Sequence, residues 1–134
     1  RFIINKETGL NIIPVDYVSK VIVSIFQRTD VTQLNIVHNE SFNIDRGIKL
    51  IMKEVGYSNF SMLSSGKAFV YKNNIEKAFY ESIGKHLTPY LISTPSEFDT
   101  TALNSIVEIP ELDDESFTEM IRYAKEKNFK DINV

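Results

Sequence analysis

The residues able to do chemistry are few, and their spacing narrows what they can do. Tyr123 and Lys127 stand four apart, which on a helix sets an ammonium one turn from a phenol and can ease the phenol's ionisation. Basic residues are dense around this pair and no phosphate-binding loop accompanies it, so a solvated helix end is the expected role. Tyr17 and Lys20, three apart, do not fit that spacing. The two histidines, His38 and His86, have no carboxylate or second histidine at metal-ligand spacing, which points to structural or surface roles. His86 is expected just past a helix end, where the dipole favours a cation. Ser64, Ser65, Gly66 and Lys67 read as a loop tip, because no helix signal follows to build a phosphate site. Six acids and no base fall between Glu108 and Glu119. They lack the spacing and turn glycine of a calcium loop and suit a helix start, whose positive end attracts carboxylates.

Absences exclude further chemistry. With no cysteine there is no thiol nucleophile, thiolate metal site or disulfide. The glycines at 9, 47, 56, 66 and 84 never cluster. Neither a GxGxxG turn nor a P-loop is present to bring backbone amides against a phosphate. No catalytic, cofactor-binding or metal residue is therefore assigned within this chain. The aromatics Phe60, Phe69, Tyr71, Phe79, Tyr80, Tyr90 and Phe98 are expected to be core, with an apolar substrate channel as the alternative.

These residues must be positioned by 134 residues that are 43% hydrophobic with a net charge of −3, enough for a single domain over 1–134. The absence of a basic excess argues against nucleic acid as a partner. No apolar run is long enough for a membrane span and no signal peptide is visible, so a cytoplasmic location is expected. The chain opens on Arg1 rather than Met, and RFIIN reads as the inside of an element. The C-terminal part of a longer polypeptide is the expectation.

Periodicity predicts the elements. LNIIPV, residues 10–15, reads as a strand end. A helix over 16–28 follows, with Asp16 as N-cap and Val15, Val18, Val21, Ile22, Ile25 and Phe26 as its apolar stripe. QLNIVH, residues 33–38, has the composition of a strand. Ile44, Ile48, Ile51, Met52 and Val55 mark a second helix that Gly56 closes. NFSML, 59–63, suggests a short strand, and 74–85 a third helix that frays at Gly84. LTPYLISTPSEF, with Pro89 and Pro95, is expected to be irregular or extended. The last helix begins at Asp113 and Asp114 and buries Phe117, Met120, Ile121 and Ala124, with Lys125, Lys127 and Lys130 near its negative end. The fold class is α/β, α+β-like, with few short strands and about four helices.

IIPVDYVSKVIVSIF, residues 12–26, resembles the segment that follows the nucleotide-binding core in extended short-chain dehydrogenase/reductases: a short strand, (Pro or His)-Val-Asp-x-Val, then a helix. The IIPVD-x-V variant is most similar to the fatty acyl reductase, male-sterility and thioester-reductase branch. Sugar-nucleotide epimerases more often have His where Pro14 stands. QLNIVHNESFNIDRGIKLIMKEVGY is similar to that family's next strand and helix, and FDTT at 98–101 to a short stretch near its end.

The resemblance implies the C-terminal, substrate-side appendage of a Rossmann-type NAD(P)-dependent oxidoreductase that reduces an acyl thioester or other carbonyl substrate. The alternatives are part of a sugar-nucleotide epimerase or dehydratase, and a non-enzymatic binding or oligomerisation module. It further implies that Pro14 and Val15 lie near the small-molecule substrate. NAD(P), the catalytic residues and the N-terminal nucleotide-binding domain that would be this chain's partner all belong upstream of Arg1. Asp16 matches a motif position, with helix capping as its role. Cut from such a partner, the chain is expected to be inactive and to self-associate through the α-helical stripe of Val18, Val21, Ile22 and Ile25.

Overall fold

A computed structural model describes residues 1–66 and 69–129. Lys67 and Lys130, named above in a loop tip and a helix end, lie outside the described residues. The described elements make a small mixed α/β fold with two small sheets. In chain order they are β1 (Phe2–Ile4), β2 (Gly9–Leu10), α1 (Val15–Ile25), β3 (Phe42–Asn43), α2 (Ile44–Val55) and β4 (Met62–Ser64). There follow α3 (Asn74–Phe79), a π-helical turn (Tyr80–Gly84), α4 (Lys85–Ile92), α5 (Thr101–Asn104) and α6 (Asp114–Glu126). β1 and β4 pair in parallel, Phe2 opposite Met62 and Ile4 opposite Ser64. β2 and β3 pair antiparallel through Gly9 with Asn43 and Leu10 with Phe42. Gly9 is required there, since a Cβ would sit 2.5 Å from that of Ser41.

Two apolar clusters hold these elements. Ile4, Ile44, Ile48 and Leu91 form one, with Phe2, Met52, Phe60 and Met62 around it. Tyr17, Val21 and Leu103 form the other, under Ile13, Leu34, Ile36, Val107 and Ile109. α2 follows its sequence pattern closely. Its apolar face is buried at Ile44 and Ile48, the Asn43 side chain accepts the Arg46 amide, and Gly56 ends it at φ 74°. α6 is also as expected, capped by Asp113, with Phe117 buried and stacked on Phe42 at 4.3 Å. Met120, expected inside, is 47% exposed, and Thr118 is buried instead.

Three stretches depart from the sequence pattern. Residues 33–38 form no strand. Their backbone pairs instead with a side chain: Asn11 Nδ2 donates to the His38 carbonyl and Asn11 Oδ1 accepts the His38 amide, both at 2.8 Å. The strand end expected at 10–15 stops at Leu10. The helix of 74–85 does not fray at Gly84, which is buried; it passes through the π-helical turn into α4 and runs to Ile92. Pro89 therefore lies inside a helix, contrary to expectation for 87–92, whereas 93–98 with Pro95 is irregular as expected. Pro89 and Lys85, whose carbonyl loses an amide partner there, are both exposed to water. His86 accordingly sits inside α4 rather than beyond a helix end.

The aromatics divide. Phe60 borders the first core cluster, whereas Tyr90 and Phe98 are exposed. Phe69, Tyr71 and Tyr80 pack edge-on or stacked within 4.9–6.2 Å of one another, and Phe79 packs edge-on against Tyr80 at 5.2 Å. That group is a clasp. The Tyr80 hydroxyl accepts the Ile3 amide at 3.1 Å and donates to the Arg1 carbonyl at 2.9 Å, tying the helical segment to β1. The Arg1 guanidinium lies 5.1 Å over Phe69 and pairs with Glu76.

Candidate substrate groove

The segment that carries the family resemblance builds one wall of an open groove. Pro14, in extended backbone at φ −65° and ψ 139°, is the N-cap of α1, and its carbonyl accepts the Val18 amide at 3.1 Å. A proline is tolerated there because its missing N–H would have no helical partner. This places Asp16 in the first turn, one residue beyond the first helical position, and it caps nothing. The capping role expected for Asp16 is thereby corrected: Pro14 holds the cap position, and the Asp16 carboxylate acts only through the positive end of the helix.

Pro14, Asp16, Tyr17 and Lys20 form the α1 side of the groove, and residues 107–111 (Val107, Glu108, Ile109, Pro110, Glu111) form the other. Its volume is about 640 Å3. The 107–111 wall is held by His38, whose Nε2 lies 2.8 Å from the Pro110 carbonyl oxygen and whose Nδ1 lies 2.8 Å from the Glu40 carbonyl oxygen and 3.1 Å from its amide nitrogen. Asn11 fixes His38, and Asn39 accepts from Asn104 at 3.1 Å, so residues 35–39 brace the groove from behind. His38 thus ties residues 11, 40 and 110 together.

The floor is Tyr17, 6% exposed and packed with Val21 and Leu103. Its hydroxyl is buried and has no hydrogen-bond partner among the described residues. Burial pushes the phenol's pKa up, so Tyr17 stays neutral, a donor and acceptor rather than a base. Around it stand three carboxylates, Asp16, Glu108 and Glu111, and one ammonium, Lys20. Carboxylates and a lysine beside apolar walls can orient a small polar molecule. The groove contains no nucleophile paired with a base.

Of the two residues named for substrate contact, Pro14 lines the groove. Val15 is 80% exposed and turns away from it. It joins Ile22, Val23 and Phe26 in an apolar strip on the solvent side of α1, Phe26 being 83% exposed. The stripe read from the sequence is therefore split: Val21 is fully covered within the chain, Val18 and Ile25 are half-buried, and Ile22 is half exposed. Tyr17 was missed as a groove residue. Its one sequence signal was a polar tip on the buried side of an apolar helix.

The other candidates lie elsewhere. Lys127 Nζ sits 5.6 Å over the Tyr123 ring at the end of α6, on exposed surface. The acids of 108–119 separate into groove walls (Glu108, Glu111), a cap (Asp113) and partners of Arg46 and Arg122 (Asp114, Glu115). Among the described residues no group of three or more His, Asp or Glu is placed to hold a metal ion. None of the described helices is long and apolar enough to cross a membrane. Comparison with protein-family models, curated proteins and solved structures finds no match to this chain.

Proposed function

We propose that this chain is the substrate-side portion of an NAD(P)-dependent reductase of the extended short-chain type, acting on a carbonyl substrate such as an acyl thioester. The groove beside Pro14 receives part of that substrate. The observation carrying this reading is the position of the Pro-Val-Asp segment: Pro14 and Asp16 line a groove with Tyr17, Lys20, Glu108 and Glu111. Hydride transfer belongs to a nucleotide-binding half upstream, because this chain has no glycine-rich turn for a dinucleotide phosphate. The apolar strip of Val15, Ile22, Val23 and Phe26 gives that half a surface to pack on.

The test is the polypeptide read upstream of Arg1 to its start. Carrying that segment, the protein should oxidise NADPH or NADH in the presence of an acyl thioester or aldehyde. The 134-residue chain alone should show no saturable dinucleotide binding. An upstream segment without a glycine-rich βαβ start, or micromolar dinucleotide binding by this chain alone, would overturn the reading. The exposed strip on α1 also favours a second reading, an oligomerisation module, in which the strip pairs with a second copy and no reductase half exists.

A further inference from the structure

His38 meets two carbonyl oxygens at once: that of Pro110 through Nε2 and that of Glu40 through Nδ1, each at 2.8 Å. Both separations are of hydrogen-bond length, and a carbonyl can only accept. A neutral imidazole carries one N–H, so it serves one oxygen and turns a lone pair toward the other. The Glu40 amide can donate to such a lone pair on Nδ1, but at 3.1 Å it stands farther off than the carbonyl of the same residue. An imidazolium carries two N–H groups and answers both oxygens. Asn11 grips the His38 backbone at its amide and its carbonyl, both at 2.8 Å, which fixes the point from which the ring projects.

The charges nearby leave room for a cation. The segments around these contacts, residues 39–41 and 107–111, carry Glu40, Glu108 and Glu111 and no lysine or arginine. Residues 9–13, which include Asn11, are uncharged. Asp16 and Lys20 face the 107–111 wall from α1, across the groove. We propose that His38 is a pH-sensitive brace of this groove: protonated, it holds Glu40 and Pro110 together through both nitrogens, and on losing its proton it gives up one of the two ties. Imidazole changes charge between about pH 5 and pH 8, so the 107–111 wall is held firmly at the acid end of that range and slackens at the alkaline end. The inference assumes nothing about what the groove receives, and its failure would leave the reductase reading untouched.

NMR and urea melts of the wild type and His38→Gln over that range test it. Tyr17 and Ile109 pack in the same core cluster, one from α1 and one from the wall, so Overhauser contacts between the Tyr17 ring and the Ile109 methyls report the wall's position. In the wild type these contacts should weaken as pH rises, and in His38→Gln they should not change with pH. His86→Gln, at an exposed position of α4, should keep the wild-type response. The fold binds the protonated ring through one more hydrogen bond, an advantage present at the acid end and lost as pH rises. The ratio of the two folding constants, wild type over His38→Gln, should therefore fall about tenfold from about pH 5 to pH 8. Should His38→Gln not fold, the wild-type series with its His86→Gln control decides by itself. The inference is overturned if the wild-type contacts stay constant, if they follow pH in His38→Gln as well, if His86→Gln abolishes the response, or if the stability ratio is independent of pH.

Discussion

Replacing Tyr17 by Phe is the sharpest probe of the groove, because its expected sign is opposite to that of an ordinary core truncation. The Tyr17 hydroxyl is buried with no partner among the described residues, in a cluster whose other members are Val21 and Leu103. An unpaired buried hydroxyl costs about 1–3 kcal/mol by protein mutational data. Deleting the oxygen removes that cost and forfeits a few dispersion contacts of ~0.1–0.2 kcal/mol each. The net expectation for Tyr17→Phe is a gain of about 1 kcal/mol. For a chain of this length that corresponds to a rise of about 3–4 °C in Tm. Tyr80→Phe is the matched control. Its hydroxyl serves the Ile3 amide and the Arg1 carbonyl, so its removal should cost about 1–2 kcal/mol. Urea and thermal melts of both variants against the wild type measure the two signs. A loss above about 0.5 kcal/mol in Tyr17→Phe would mean that the hydroxyl is satisfied in the free protein.

Helix capping gives a second contrast: Asn43→Ala should cost about 1 kcal/mol, because Asn43 accepts the Arg46 amide, whereas Asp16→Ala, exposed and acting through the dipole alone, should cost no more than about 0.5 kcal/mol; equal losses in urea melts would restore Asp16 as a cap. Acidification should remove the Glu76 contribution: its hydrogen bonds from Arg1, and then from the Lys72 amide, hold the carboxyl down at about 2 against an ordinary 4.5. A depressed folded-state pKa gives stability that is complete above pH 4.5 and fades as pH falls toward 2, so the gap between wild type and Glu76→Gln should close over that window. A gap that does not change with pH would contradict it. Finally, the chain should self-associate through the outer side of α1, and Phe26→Glu should shift sedimentation toward monomer; a wild type that stays monomeric at high concentration would show that this strip needs no cover.

Local pattern was enough wherever an element answers to its own residues. The spacing of Ile44, Ile48, Ile51 and Met52, with Gly56 behind them, specifies α2, and Asp113 specifies the start of α6. Both signals act within one or two turns of backbone, so they survive without knowledge of the rest of the chain. The Pro-Val-Asp segment was likewise legible as the entry to a helix, although the cap moved back to Pro14. Tertiary placement decided what periodicity cannot see. QLNIVH has the composition of a strand, yet it pairs with no strand among the described residues. The Asn11 amide supplies the missing donor and acceptor from 27 residues away. The apolar residues of α1 occupy most of the helix circumference, so the sequence by itself could not say which side is covered. Packing of Tyr17 and Val21 against Leu103 buries one side and leaves Val15, Ile22 and Phe26 in water. The same packing leaves the Tyr17 hydroxyl without a hydrogen-bond partner among the described residues, and brings a residue that reads locally as core to the groove lining. A hydrogen bond or a buried face needs two partners in space, and distance along the chain does not determine which groups will meet.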